Sequence, residues 1–399
     1  MAGRCSGVLV LVKTPALLSL LILPVSAMPE PPAARFRAQT IDAELKIGYG
    51  VAISDVDGDG KADIVLADAG ETVWYKNPGW EKHRLTGKLT EQDHVCVAAH
   101  DIDSDGKAEI AVGAEWNPGD TLNSGAVFSL HAPEDRTKSW QATKQHREPT
   151  VHRMNWVREP GDRHFLAVLP LHGCGNKNGE GDGIRFLGYR PEKEPVEDWQ
   201  TFLIHQGFHM AHNFQPVIWN AGDTGESLLV AEKEGTHLLS QTDGKWTATR
   251  LTTKGSGEVR LGKLPDGGRF IATVEPMHGT DVAIYPERDK AFANRVLADA
   301  TLNQGHALVT ADFLGTGSDQ VAAGWREPGK EDKKVGIRLY VPAAADGSAW
   351  KLHATIADNT MACEDMKAAD FNGDGKPDLV ASGRATKNLV IYWNETETR

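Results

Sequence analysis

One acidic phrase returns along the chain and limits what it can fold into. It reads Asp55-Val-Asp-Gly-Asp-Gly-Lys-Ala-Asp63, then Asp101-Ile-Asp-Ser-Asp-Gly-Lys-Ala-Glu109, then Asp370-Phe-Asn-Gly-Asp-Gly-Lys-Pro-Asp378, with a worn copy at Asp312-Phe-Leu-Gly-Thr-Gly-Ser-Asp-Gln320. Short stretches of small or apolar residues flank each copy, so the phrase is the turn between two neighbouring strands. A second phrase sets the count. Trp80, Trp140, Trp199, Trp246, Phe292 and Trp350 each open a short stretch that ends in an apolar residue, and Phe36 opens a seventh. Phe36 stands before the first acidic turn, whereas the last acidic turn is followed only by 388–393 and a few more residues. The N-terminal strand therefore completes the last unit. Seven such units predict an all-β fold, a seven-bladed β-propeller of four-stranded blades, closed by the N-terminal strand so that no sheet edge is left between first and last blades. The blades are expected near 48–90, 94–146, 150–205, 209–251, 255–298, 303–357 and 361–395, the last completed by 35–45.

Residues 1–27 are set apart from this fold. Arg4 and Lys13 precede an apolar run from Ala16 to Val25, and Val25-Ser26-Ala27 places small residues at a cleavage position, which predicts a secretory signal removed near Ala27. The run is shorter than the roughly 20 residues of a membrane span, so a secreted or periplasmic protein without stable membrane insertion is expected. A linker at 28–34, the propeller at 35–395 and a tail at 396–399 complete the division. With 43 basic against 55 acidic residues, a formal charge of -12, the chain is a poor partner for nucleic acid. Beyond the signal, Cys96, Cys174 and Cys363 are an odd set, which leaves open one bridge with one free thiol or three buried thiols.

The acidic turns have the chemistry of calcium loops. Carboxylates at the first, third, fifth and ninth positions converge while a glycine at the sixth permits the sharp turn, and hard oxygen donors suit Ca2+. The expected ligands are Asp55, Asp57, Asp59 and Asp63; Asp101, Asp103, Asp105 and Glu109; and Asp370, Asn372, Asp374 and Asp378. Leu314 and Thr316 replace two of them in the worn copy, where no ion is expected. Turns stabilised by their own Asp side chains without an ion are the alternative.

Counting back from each turn, the innermost strands begin at His94, at His152, at His212, at Gly257-Glu258, at Gly305-His306 and at Cys363-Glu364. Such residues form a ring at one mouth of a propeller channel, opposite the acidic turns. The second strands return there with Glu115 and Trp116, His172, Glu232, Glu275 and His278, Trp325 and Arg326, and Arg384. A ring of imidazoles with carboxylates suits Zn2+ or Mn2+, and the expected ligands are His94, His152, His212, Glu258, His306 and Glu364. His172 and His278, each before a glycine, are the expected acid and base, with Arg326 and Arg384 stabilising charge and Trp116 and Trp325 stacking on substrate. The glycine-rich segment 173–183 on the same side is either a lid or a plain loop.

The acidic turns with their small-residue strands resemble FG-GAP or VCBS repeats. The phrases Leu169-Pro-Leu-His172-Gly, Glu275-Pro-Met-His278-Gly, Gly305-His306-Ala-Leu and Ala323-Gly-Trp-Arg326 resemble, more specifically, the propeller domain of aldos-2-ulose dehydratase, a sugar lyase and isomerase. That resemblance implies a carbohydrate partner, with a metal-dependent lyase or dehydratase/isomerase acting on a keto-sugar by α-proton abstraction and β-elimination. The competing class is a non-catalytic, calcium-stabilised propeller that binds glycan or protein.

Overall fold

The structure, a computed structural model, describes residues 29–397. The described residues form twenty-eight strands in seven four-stranded antiparallel sheets and no helix. Blades one to six take β2–β5 (50–86), β6–β9 (96–145), β10–β13 (151–206), β14–β17 (211–250), β18–β21 (258–299) and β22–β25 (305–358). The seventh joins β26 (Cys363–Ala369), β27 (Asp378–Gly383) and β28 (Asn388–Asn394) to β1 (Phe36–Asp42), in the order β1-β28-β27-β26. The expected seven blades and the closing strand are both present. The ladder that closes the ring runs from Phe36 opposite Asn394 to Asp42 opposite Leu389.

The aromatic phrase has a packing role. Phe36 meets Phe313 at 6.0 Å, Trp80 meets Phe371 at 5.7 Å, Trp350 meets Phe270 at 4.9 Å and Trp246 meets Phe165 at 6.0 Å, each time on the preceding blade. One large ring at the start of an outer strand therefore wedges against the neighbouring sheet, where burying it stabilises the blade-to-blade contact. Second strands such as β3 (Asp63–Asp68) and β23 (Gln320–Trp325) are buried along their whole length, as expected of a strand with sheets on both faces.

The expected signal segment lies outside the described residues. No helix among those described is long and apolar enough to cross a membrane. Of the expected linker, Glu30 pairs with Lys351 at 2.9 Å and the Pro32 carbonyl lies 2.9 Å from His353 Nε2, on β25 (Trp350–Asp358). In the expected tail, Thr396 is fully buried and its Oγ1 accepts the Arg35 N–H at 3.1 Å. Neither cysteine alternative holds. All three thiols are free, and Cys174 is exposed while Cys96 and Cys363 are buried on inner strands of different blades.

Candidate metal centre and channel

Four inner strands break their register at one residue each. The ladder slips between Val151 and Arg153 in β10 (Val151–Glu159), between Ala211 and Asn213 in β14 (Ala211–Val217), between Gly305 and Ala307 in β22 (Gly305–Ala311), and between Cys363 and Asp365 in β26. The extra residues are His152, His212, His306 and Glu364. A bulge removes its residue from the alternation of the pleat and re-aims the side chain. Here it gathers imidazoles from three strands on the propeller axis.

The rings pack directly. His152 and His212 have centroids 4.6 Å apart, His212 and His306 4.9 Å, His212 and His278 4.6 Å, and His278 and His306 4.7 Å. His152, His212 and His306 are buried, whereas His278 is partly exposed. Burial holds all four well below the ordinary histidine value, His278 to about 2, so the cluster is neutral. His278 owes its place to a turn in which it takes the left-handed conformation at φ 50, followed by Gly279, where a Cβ would stand 2.0 Å from the Glu275 carbonyl.

Hydrogen bonds fix the tautomers. His212 Nδ1 faces the Gly257 carbonyl at 3.0 Å and Glu258 Oε1 at 3.1 Å, and His306 Nδ1 faces the Glu364 carbonyl at 2.6 Å. Both nitrogens must donate, which leaves lone pairs on Nε2. His212, His278 and His306 each offer one nitrogen, and the three nitrogens lie within 4.8 Å of one another. Three imidazoles, two of them held by acceptors on Nδ1, suit a borderline divalent ion, so the donor set fits Zn2+ or Mn2+. His152 is turned away. Its Nδ1 lies 2.9 Å from the His212 carbonyl and its Nε2 accepts from Arg153 at 3.0 Å.

The expected carboxylates are present but otherwise engaged. Glu258 accepts from Asn213 at 2.6 Å, and Glu364 accepts from Arg326 at 3.0 Å and from Arg384 at 3.0 Å. Both support the cluster and neither is free to be a ligand. Arg384 also stands over the Tyr49 ring at 5.5 Å, and Tyr49 donates to Asp93 at 2.9 Å.

Four expectations for this face need correction. His94 has its Nδ1 on Thr72 Oγ1 at 2.9 Å and its Nε2 accepting from Leu89 N–H at 3.3 Å, so both nitrogens are used within the fold. His172 is buried outside the cluster, its backbone bridging to Met210. Trp325 is buried in the core, with its indole N–H on the Lys334 carbonyl at 2.8 Å. Trp116 stacks on His152 at 4.9 Å and 26°, which occupies one face of the indole. The segment 173–183 is pinned by Asn176, whose amide donates to the carbonyls of Asp182 and His209, each at 3.0 Å.

On the opposite face, the first Asp of every acidic turn holds the turn itself. Asp55 accepts from Gly58 and Gly60, each at 2.7 Å, and Asp370 from Gly373 and Gly375, each at 2.8 Å. Asp312 in the worn copy does the same with Gly317 at 2.7 Å. Three carboxylates converge in blade one, Asp55, Asp57 and Asp63, and three in blade two, Asp101, Asp103 and Glu109. Asp59 and Asp105 stand outside these groups. The blade-two loop fits a cation best, because the buried Asp101 Oδ1 has no partner and the lysine that pairs with Asp103 at 2.9 Å, Lys193, is exposed. In blade one Lys76 already pairs with Asp57. In blade seven Asn372 donates to Asp374 at 3.3 Å, and Asp378 accepts from Phe371 and Asn394 backbone N–H groups at 3.2 and 2.7 Å.

Between the two faces the inner strands enclose a channel of about 750 Å3. Arg153, Asn213, Arg260, Asp365 and Lys367 line it near the histidine cluster, and Asp101, Ser104 and Asp162 line it near the acidic turns. Tyr49 and Asp93 carry no repeated phrase and so could not be singled out from the sequence. Arg153 and Asn213 follow the bulged residues directly, and a bulge leaves no mark in hydropathy.

Comparison with known proteins agrees with this architecture. Residues 55–112 match the FG-GAP-like repeat family, and residues 124–288 match the family of the aldos-2-ulose dehydratase β-propeller domain. The second match covers the phrases around His172 and His278, whereas those around His306 and Arg326 lie beyond it. No curated protein matches the chain. Among solved structures, a chain of the mitotic checkpoint complex is similar at 12% identity and a TM-score of 0.55, covering 98% of this chain and 100% of that one. BBS1N, solved in complex with ARL6DN, is similar at 13% identity and a TM-score of 0.55, covering 92% and 99%. The Cps50 (Swd1) β-propeller domain of Myceliophteria thermophila is similar at 11% identity and a TM-score of 0.54, covering 90% and 100%. At such identities the likeness is one of fold alone. The chain is a seven-bladed β-propeller that is similar to FG-GAP-like repeats over its first two blades and, over its central blades, to the propeller domain of aldos-2-ulose dehydratase.

Proposed function

We propose that the protein is a metal-dependent carbohydrate lyase or dehydratase/isomerase, exported from the cytoplasm and acting on a keto-sugar or related saccharide at the histidine end of the propeller. The observation that carries this reading is the convergence of His212, His278 and His306 on one point, two of them delivered there by bulges. The similarity of residues 124–288 to a sugar dehydratase's propeller supplies the substrate class.

An ion held by the three imidazoles would polarise a sugar carbonyl and acidify the adjacent C–H. The protein's own groups do the rest. Arg326 and Arg384 are partly exposed beside His278 and present positive charge to the oxygen that becomes anionic, and Glu364 holds both in place. Asp93, a partly exposed carboxylate oriented by Tyr49, would take the proton. On the opposite face Asp101, Asp103 and Glu109 of the blade-two loop would hold Ca2+, which would stabilise the ring without taking part in turnover.

The test is elemental analysis of the mature protein dialysed without chelator, alongside a His212→Ala/His306→Ala variant, followed by a screen of keto-sugars for elimination. One transition ion per chain that the variant loses while keeping calcium is the expected result. Calcium alone, even after Zn2+ and Mn2+ are offered, would leave a glycan- or protein-binding propeller as the better account.

A further inference from the structure

The channel wall contains an arginine with no direct ion-pair partner among the described residues, its charge met only at longer range by Glu258 and Asp365. Arg153 is only 9% exposed and lines the channel. Its guanidinium donates to His152 Nε2 at 3.0 Å and to the His152 carbonyl at 2.9 Å, and it makes no ion pair among the described residues. A guanidinium in a protein keeps its charge, and a buried charge without a counter-ion is costly. Arg260, also 9% exposed and also lining the channel, is little better served. Its nearest carboxylate is Glu258 at 3.5 Å, which is shared with His212 and Asn213. The other charges at this end cancel, since Lys367 pairs with Asp365 at 2.9 Å. The inner end of the channel therefore carries excess positive charge.

The outer end has the opposite character. Asp162 and Glu226 line it, next to the blade-two turn that carries Asp101, with Arg158 the one cationic side chain beside them. This polarity excludes a polyanion, which the rim would repel, and suits a ligand with one anionic head and neutral hydroxyl groups elsewhere. Hydroxyls donate to rim carboxylates, and the buried Trp156 on the same wall offers a surface for sugar C–H groups. A volume of about 750 Å3 is ample for one or two sugar rings.

We propose that the channel binds a singly charged acidic saccharide, a uronate or aldonate, with its carboxylate at Arg153 and Arg260 and its hydroxyls toward the acidic rim. The ligand enters from the acidic-turn face, so this site is separate from the histidine cluster. The saccharide half of the proposal rests on the carbohydrate reading of the protein, while the anionic half rests on the channel alone.

The experiment is titration calorimetry on the mature protein with sodium glucuronate, and with glucose, sodium acetate and sodium chloride as controls. Glucuronate is expected to bind one to one, with glucose and acetate each weaker by about tenfold or more, as expected when a charge-assisted contact or the sugar ring is lost. Arg153→Met should lower glucuronate affinity by a similar factor, and Arg153→Lys should keep part of it. Because Arg153 also supports His152, Arg260→Met on another blade is run beside it, and it decides the matter if Arg153→Met does not fold. Failure of the wild type to bind glucuronate overturns the proposal. So does equal binding by folded Arg153→Met and Arg260→Met. Acetate or chloride binding as tightly as glucuronate would reduce the site to one for simple anions, and glucose binding as tightly would remove the arginines' role. Metal content of the same samples reports on the histidine cluster separately, so loss of one reading leaves the other standing.

Discussion

The Nε2 atoms of His278 and His212 lie 2.8 Å apart, and the proton between them belongs to His278. Arg326 approaches His278 Nδ1 at 3.4 Å and can only donate, so that nitrogen carries the lone pair. His212 has already committed its proton to Nδ1, where the Gly257 carbonyl receives it. Without an ion, then, Arg326, His278 and His212 form a directed chain of donors. An ion at the three imidazoles requires His278 to move its proton from Nε2 to Nδ1, against Arg326.

That opposition gives a prediction with an unusual sign. Arg326→Gln supplies an amide oxygen that accepts from Nδ1–H and frees Nε2 for the ion, so Zn2+ affinity should rise by about tenfold, the scale of second-partner effects on metal ligands. Competition against a chromophoric chelator measures it. Unchanged or weaker affinity would show that Arg326 does not govern the His278 tautomer.

His94 predicts an acid-sensitive joint between the first two blades. Burial lowers its value from 6.5 to about 4 while it holds Thr72 and Leu89. The unfolded chain then binds a proton that the folded chain refuses, so this contribution is present above pH 6.5 and is lost as pH falls toward 4. The loss is on the order of 2 to 3 kcal/mol. His94→Gln should be less stable than wild type at pH 7.5 and should show a smaller drop between pH 6.5 and 4 in urea melts. Parallel curves for the two proteins would remove His94 from the acid response.

Glu232 works in the other direction. Burial, helped by a hydrogen bond shared with Glu234, raises its carboxyl from 4.5 to about 9. The folded chain now holds the extra proton, so the contribution is full below pH 4.5 and is lost as pH rises toward 9. Glu232→Gln keeps the shape without the charge. It should melt a few degrees above wild type at pH 9 and close to it at pH 4.5, as differential scanning calorimetry would show. A variant that melts lower at both values would mean that Glu232 serves as a carboxylate.

The fold was legible because its signals are local and repeated. An acidic turn recurs in four blades, once in worn form, an outer-strand aromatic recurs in all seven, and the displaced Phe36 betrays how the ring closes. His212, His306 and Glu364 were legible as candidates because they stand at the starts of inner strands. Their separation from His94 was not, since it depends on bulges at 212 and 306 that have no counterpart in β6 (Cys96–His100). Trp325 and His172 were misplaced for a related reason. A residue at the mouth end of a strand points to the axis or into the blade according to pleat phase, and one residue of slip reverses the choice.

Asn176 pins the glycine-rich segment, so its removal should turn an ordered loop into a cleavable one. Its side chain is fully buried and bonded to Asp182, His209 and Gly179. Asn176→Ala leaves those backbone groups unsatisfied at a cost of about 1 to 3 kcal/mol, confined to this loop. Limited proteolysis should cut within 173–183 in the variant and spare the wild type, with global melting little changed. Equal resistance would mean that the glycines alone hold the loop.

Ring closure by β1 gives the last prediction. Removing residues 29–42 strips β28 of its outer partner and leaves an unpaired hydrophobic edge carrying Leu389, Val390 and Ile391, a template for association with other chains. The deletion also removes Phe36 from its contact with Phe313 on the sixth blade. The shortened chain should melt at least about 10 °C lower and form larger species in light scattering, because ladder and wedge are lost together. A synthetic peptide of residues 29–42 added in trans should restore monomers and part of the melting temperature. Rescue by the natural peptide but not by one with Phe36→Ala would assign closure to the aromatic wedge as well as to the ladder; a shortened chain as stable as the full one would deny the strand any closing role.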